Sequence, residues 1–106
     1  MTVVFQPHLF TRTRDFYPEF AESLSLADRV ILLDIYPARE IPLPGITSGV
    51  ICERLKVPGR ILSKPALLEF VSQEFENGIL ITMGAGDIDR LVGEITVRLK
   101  NKGKKQ

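Results

Sequence analysis

Short apolar runs alternate along this chain with longer stretches in which apolar residues recur every three or four positions. The short runs cover residues 3–6, 29–35, 60–62 and 79–83, and runs of this length predict β-strands. Residues 29–35 and 79–83 are almost continuously apolar, as expected of strands buried on both faces of a parallel sheet.

The longer stretches predict helices between these strands. The first helix is expected over about residues 14–26, where Phe16 and Phe20 fall on one core-facing stripe. Pro18 suits a helix only in the first turn, so the helix should begin near Phe16, with Asp15 or the threonines before it as the N-cap.

Three more helices follow the same pattern. One covers about residues 48–55 after a Thr47 cap, one begins at a Ser63 cap and ends at Asn77-Gly78, and one is capped by Asp87. Strands that alternate with helices predict an α/β fold, with a Rossmann-like, mostly parallel sheet and flanking helices.

Composition narrows the class of protein. A chain of 106 residues is one domain, here with residues 101–106 as a disordered basic tail. The 14 basic residues nearly balance the 13 acidic residues, which argues against a nucleic-acid partner. No apolar run approaches the ~20 residues of a membrane span. Cys52 is the single cysteine, which suits a cytoplasmic protein.

The turn between the first strand and the first helix contains His8, Arg12 and Arg14. Open α/β sheets bind ligands at the carboxyl ends of their strands, and arginine offers a planar set of donors to carboxylate or phosphate. Two arginines at a helix start oppose the helix dipole, which suggests a compensating anion. We therefore expect an anion site beside a titratable imidazole, although Arg14 could instead pair with Asp15 or Glu19.

A second polar group, Asp34, Tyr36, Arg39 and Glu40, follows the second strand in a proline-rich loop. A loop in this place often carries function, and Tyr36 could pack a small substrate side chain. Each residue also has a structural interpretation. Asp34 could accept hydrogen bonds in a turn, Tyr36 could cover the edge of the core, and Arg39 and Glu40 could form a surface ion pair.

A third turn, Gly84-Ala85-Gly86, follows the last strand. Its context is that of a phosphate-binding turn, yet the third glycine of a dinucleotide fingerprint is missing and Asp87 would repel a phosphate. A tight structural turn and a contact to a ligand or neighbouring domain both fit. No residues indicate catalysis with confidence, because the sequence lacks a Ser-His-Asp order, carboxylates paired for acid–base work and a metal-ligand cluster.

Three segments carry a family resemblance: FQPHLFTRTRD at residues 5–15, DIYPAREIPLPG at residues 34–45 and MGAGDI at residues 83–88. Together they resemble the C-terminal domain of the Mur ligases of peptidoglycan synthesis, and among these the members that join L-alanine to UDP-N-acetylmuramate. The resemblance extends from Val3 to about Leu91, nearly the whole chain.

The resemblance implies that residues 1–100 are the amino-acid-binding domain of an ATP-dependent, amide-forming ligase, incomplete at its N-terminal side. The whole ligase would use ATP and Mg²⁺ to activate the muramoyl carboxylate as an acyl phosphate, which the amine of L-alanine attacks. The resemblance assigns substrate binding to His8, Arg12, Arg14 and Tyr36. It places at the domain interface, on the nucleotide side, Gly84, Gly86 and Asp87.

The chain departs from the family in two respects. Leu9 stands where the family has an arginine, so Arg12 or Arg14 would have to hold the substrate carboxylate. The opening DDYGHHP stretch of the domain and the Gly-Lys-Ser/Thr loop of the ATPase domain are also absent. The chain is therefore expected to be a truncated piece that binds no ATP or Mg²⁺ and is inactive by itself. An uncovered sheet edge would be consistent with weak homodimerisation.

Two other interpretations stay open. One is the C-terminal domain of the related ligase that recycles murein tripeptide. The other is a non-catalytic Rossmann-like module that binds a small anion.

Overall fold

A computed structural model describes residues 1–73, 79–84 and 93–99. Over these ranges, four parallel strands form one sheet in the order β3-β2-β1-β4. The strands are β1 Thr2–Gln6, β2 Arg29–Leu32, β3 Gly59–Ile61 and β4 Leu80–Gly84. The α/β fold with a Rossmann-like parallel sheet, predicted from the alternating pattern, is confirmed.

Helices cover both faces of this sheet. They are α1 Phe10–Leu24, α2 Gly49–Cys52 and α3 Lys64–Gln73, and residues 93–99 are also helical. None of the helices in these ranges is long and apolar enough to cross a membrane.

Side chains of β1 alternate between two cores, as the period of a strand requires. Val4 faces the core that contains Ile31, Leu33 and the apolar side of α3. Val3 faces the core that contains Leu32 and the apolar residues of α1 and α2. The first two crossover helices therefore lie on one face and α3 on the other, which makes the β1–β4 boundary the place where the strand order reverses. Ligands of such sheets bind outside the carboxyl ends of the strands, close to such a reversal, and β1 is one of the two strands there.

Helix α1 begins six residues earlier than the predicted start near Phe16. Its buried positions are Thr13, Ala21 and Leu24, while Phe16 is 51% exposed, so the prediction that Phe16 packs in the core is wrong. Pro18 lies inside the helix, and Asp15 is not the N-cap. Proline lacks a backbone N–H and therefore removes one internal bond of the helix, so tertiary packing must stabilise α1 in spite of Pro18.

Strand β4 differs from the buried strand predicted for residues 79–83. Ile81 is 37% exposed and Met83 46% exposed, because β4 pairs with β1 alone and ends the sheet in the described part of the chain. Burial of β2 is confirmed, since Val30, Ile31 and Leu32 are all buried.

The remaining predicted helix boundaries agree in part. Ser63 caps α3 by accepting the Ala66 N–H at 3.2 Å, as predicted. Helix α2 is shorter than residues 48–55, and Thr47 Oγ1 accepts the Gly49 N–H at 3.1 Å before it. The predicted Asn77-Gly78 stop, the Asp87 cap and the tail at 101–106 lie outside the described residues.

Candidate functional site

His8 and Tyr36 come together just beyond the paired ends of β1 and β2. The Leu9 N–H donates to the Tyr36 carbonyl at 2.9 Å, and the Tyr36 N–H donates to the Pro7 carbonyl at 2.8 Å. These bonds extend the parallel pairing by one bridge between His8 and Tyr36. The imidazole and phenol rings stack with centroids 5.7 Å apart and planes 15° apart. The structure thus unites one residue from each of two predicted polar groups.

Leu9 turns the chain from β1 into α1. Its φ of 70° is uncommon for a residue with a side chain and costs about 1–3 kcal/mol, which the surrounding contacts must offset. The Leu9 carbonyl accepts both the N–H of Thr13 at 3.1 Å and its Oγ1 hydroxyl at 2.9 Å. Because Thr13 is fully buried, these two bonds fix the turn that joins His8 to the first helical residues.

Glu40 supplies the acceptor for the N-terminus of α1. Its Oε1 accepts the N–H of Phe10 at 2.6 Å and the N–H of Thr11 at 3.1 Å. Its Oε2 accepts the Thr11 hydroxyl. The hydroxyl bond, followed by the backbone bonds and the charge of Arg14, lowers the pKa of Glu40. At neutral pH an ionised carboxylate of the chain itself therefore fills the helix start, where positive partial charge is concentrated.

The two candidate arginines differ in their surroundings. The Arg14 Nε donates to the Asp15 carboxylate at 2.9 Å, and this pair raises the pKa of Arg14 and lowers that of Asp15. Arg12 lies in the first turn of α1 with an exposed side chain. Its guanidinium forms no hydrogen bond or ion pair with another residue of the described ranges. Arg12 is therefore the better placed of the two to receive an anion from solution.

Asp34 lies between two small clefts at the carboxyl end of β2. One, of about 170 Å³, is lined by Phe10, Asp34, Ile35, Ile46, Thr47 and Ser48. The other, of about 240 Å³, is lined by Gln6, Leu33, Asp34, Ile35 and residues 62–65. The buried Ser48 hydroxyl donates to the Leu33 carbonyl and ties the end of the long loop back to the sheet.

Gly84 has a structural reason to be glycine. It ends β4 with a φ of 129° and pairs with Gln6 of β1. A Cβ at this position would lie 2.5 Å from the Gln6 carbonyl oxygen, so no side chain fits without moving β1 and β4 apart. Gly86 and Asp87, the other candidates in this turn, lie outside the described residues.

The sequence prediction missed the contact between Glu40 and α1. The signal was present, because a helix that starts at Leu9-Phe10 has no Ser, Thr, Asp or Asn at its first position and must find an acceptor elsewhere. Pro18 placed the predicted helix start near Phe16, and from that start no acceptor for Phe10 and Thr11 was needed. The expected Arg39–Glu40 surface pair gives way to this bond with the helix.

The residues at the site offer side chains for an anion but not for a metal ion. Within the described ranges, no three His, Cys, Asp or Glu side chains are grouped closely enough to hold a metal. The site at the ends of β1 and β2 consists of the stacked imidazole of His8, the exposed guanidinium of Arg12 and the half-buried carboxylate of Glu40.

The fold and this arrangement are those of a Rossmann-like α/β domain with polar side chains at the carboxyl ends of its strands. The chain is 53% identical over 105 residues to the UDP-N-acetylmuramate–L-alanine ligase of Phocaeicola vulgatus, a match that covers 96% of this chain and 22% of that protein. It is 53% identical over 90 residues to the ligase of the same name from Porphyromonas gingivalis, covering 84% of this chain and 20% of that protein. The ligase of Paenarthrobacter aurescens is 51% identical over 87 residues, 81% of this chain and 19% of that protein.

No family model matches the chain. The chain spans about a fifth of the length of the curated relatives it matches. Identity near one half over most of its residues makes it homologous to one segment of the UDP-N-acetylmuramate–L-alanine ligases.

Proposed function

We propose that this chain is the amino-acid-binding part of an ATP-dependent ligase that joins L-alanine to UDP-N-acetylmuramate in peptidoglycan synthesis. The observation that carries the proposal is the stacked His8–Tyr36 pair at the carboxyl ends of β1 and β2, followed four residues after His8 by the exposed Arg12 in the first turn of α1. The identity to ligases of this name supports L-alanine as the amino acid, rather than the murein tripeptide.

Arg12 would hold the carboxylate of L-alanine. A guanidinium can donate two parallel hydrogen bonds to a carboxylate, which fixes both the position and the orientation of the amino acid. Arg12 is favoured over Arg14 because Asp15 already occupies the guanidinium of Arg14.

His8 and Tyr36 would orient the amino acid beside Arg12. The stack restrains the imidazole on one side, so His8 is suited to positioning the substrate rather than moving far to transfer a proton. Tyr36 would pack against the small side chain of L-alanine. Domain closure over this site would exclude water from the reaction, with Gly84, Gly86 and Asp87 at the interface on the nucleotide side.

We infer that ATP and Mg²⁺ are held mainly outside this chain. The described ranges lack a group of side chains that could hold a metal ion, and the sequence contains no Gly-Lys-Ser/Thr loop. In the proposed ligase, ATP, Mg²⁺ and UDP-N-acetylmuramate would be bound mainly by other parts of the protein, and this chain alone would not catalyse ligation.

A chimeric enzyme tests the proposal. In the Phocaeicola vulgatus ligase, this chain would replace the matched segment, and release of ADP would be measured with UDP-N-acetylmuramate and with or without L-alanine. The expected result is ADP release that depends on L-alanine, and none when the segment is deleted. A folded chimera that binds ATP and UDP-N-acetylmuramate but shows no response to L-alanine would contradict the proposal and favour a non-catalytic anion-binding module.

A further inference from the structure

We propose that Glu40 is a positioning residue, whose carboxylate serves as a built-in anion at the start of α1 and holds the loop after β2 against the turn after β1. The contact between Glu40 and α1 lies entirely within this chain. Its consequence for substrate recognition rests on the proposed function.

The start of α1 depends on this carboxylate because nothing nearby in sequence replaces it. The N-cap residue is Leu9, which offers no side-chain cap. The N–H groups of Phe10 and Thr11 both point to Glu40 Oε1 at 2.6 and 3.1 Å. The two partners are about thirty residues apart in the sequence, so the bonds act as a tertiary tether as well as a helix cap.

The tether lies close along the chain to the stacked pair, His8 and Tyr36. His8 lies two residues before Phe10, and Tyr36 lies four residues before Glu40. Backbone bonds join Tyr36 to Pro7 and to Leu9, the two neighbours of His8, and the Glu40 bonds then join the same loop to Phe10 at the start of the helix. Removing the carboxylate would leave the His8–Tyr36 bridge held by its backbone bonds alone, so the two rings should be less tightly positioned.

The tether also decides which groups remain for a substrate carboxylate. Glu40 already uses the Phe10 and Thr11 N–H groups, and a second carboxylate at the same place would meet its charge. The carboxylate of the amino acid must therefore be bound by side chains, and Arg12 is the side chain that we expect to bind it. A carboxylate could enter the helix start only if Glu40 were absent.

Nuclear magnetic resonance of the isotope-labelled 106-residue chain tests this inference. In Glu40→Ala, the Phe10 and Thr11 amide protons should lose their downfield shift, and the ring signals of His8 and Tyr36 should move as the stack loosens. Glu40→Gln keeps an acceptor oxygen and should fall between wild type and Glu40→Ala. Glu22→Ala, which removes an exposed carboxylate from the same helix, should leave all four residues unchanged.

Addition of acetate separates a carboxylate role from general loosening. Excess sodium acetate should return the Phe10 and Thr11 amides of Glu40→Ala toward their wild-type positions, while sodium chloride at equal ionic strength should not. Wild type should not respond to acetate at these amides. The inference is overturned if acetate fails to restore them or shifts wild type equally.

Wild type alone provides the test if Glu40→Ala does not fold. The Phe10 and Thr11 amide shifts should then change together as Glu40 is protonated in acid. Amide shifts that stay constant from neutral pH to acid would overturn the inference. Titration of wild type with L-alanine is a separate measurement. If L-alanine does not shift the signals of Arg12, the result counts against the proposed function. The Phe10 and Thr11 amide shifts that test the role of Glu40 are unaffected by that result.

Discussion

Leu9 is the residue at which local preference and the tertiary structure disagree most clearly. Its φ of 70° favours glycine, so Leu9→Gly should be more stable than Leu9→Ala by about 1 kcal/mol, the reverse of the usual order. Urea denaturation of the two variants measures this difference.

Leu26 provides the control for this comparison. It is 86% exposed and its φ is not positive. Leu26→Ala should therefore be at least as stable as Leu26→Gly. The same order at both positions would contradict a strained Leu9.

Glu40 should make the stability of the chain depend on pH. Its pKa is lower in the folded chain than the ordinary value of 4.5, so its contribution is present at neutral pH and is lost as the pH falls from about 4.5 through the folded value. The Tm difference between wild type and Glu40→Gln should therefore shrink in acid.

Glu22→Gln is the matched variant for this measurement, because Glu22 is exposed on the same helix. Its Tm difference from wild type should stay small at every pH. A Glu40→Gln difference that is constant between neutral pH and acid would show that the charge of Glu40 does not stabilise the helix start.

Among the elements, α1 tolerates a proline at a position where most helices do not. Pro18 removes an internal hydrogen bond to the Arg14 carbonyl, and proline in a helix interior is about 3 kcal/mol less favourable than alanine. Pro18→Ala should therefore increase the free energy of unfolding, by about 1–3 kcal/mol, in chemical denaturation. A loss of stability would mean that the ring packs more favourably than the missing bond costs.

The pairing of β1 with β4 depends on Gly84. Gly84→Ala should destabilise the chain by more than about 2 kcal/mol, because the added Cβ meets the Gln6 carbonyl and the positive φ disfavours alanine. Gly93→Ala is the control, since Gly93 is helical with open space around it, and it should be neutral or stabilising. Equal losses for both variants would contradict the close approach at Gly84.

At the scale of the whole molecule, the periodicity of the sequence was sufficient to predict the fold class and the approximate positions of all four described strands. It could not show that β4 lies at the edge of the described sheet, because the apolar run that forms β4 resembles the buried run of β2. Exposure of Ile81 and Met83 follows from strand order, which depends on contacts between distant segments.

For the candidate site, the sequence predicted which strand ends carry the polar residues but not the contacts between them. Placement of His8 and Tyr36 after neighbouring parallel strands follows from the pattern of runs, but their stacking and the bond between Glu40 and α1 do not. Both contacts join residues about thirty positions apart. The resemblance to ligases pointed to His8, Arg12, Arg14 and Tyr36, and the structure selects Asp15 over Glu19 as the partner of Arg14.

The kinetics of two arginine variants in the chimeric ligase would decide whether the turn after β1 holds the amino acid. Arg12→Ala should raise the KM for L-alanine at least about tenfold, the loss of a charge-assisted hydrogen bond, with the KM for ATP little changed. Arg14→Ala should alter both within about twofold, because it removes only an exposed ion pair. An unchanged KM for L-alanine in Arg12→Ala would contradict the proposed site.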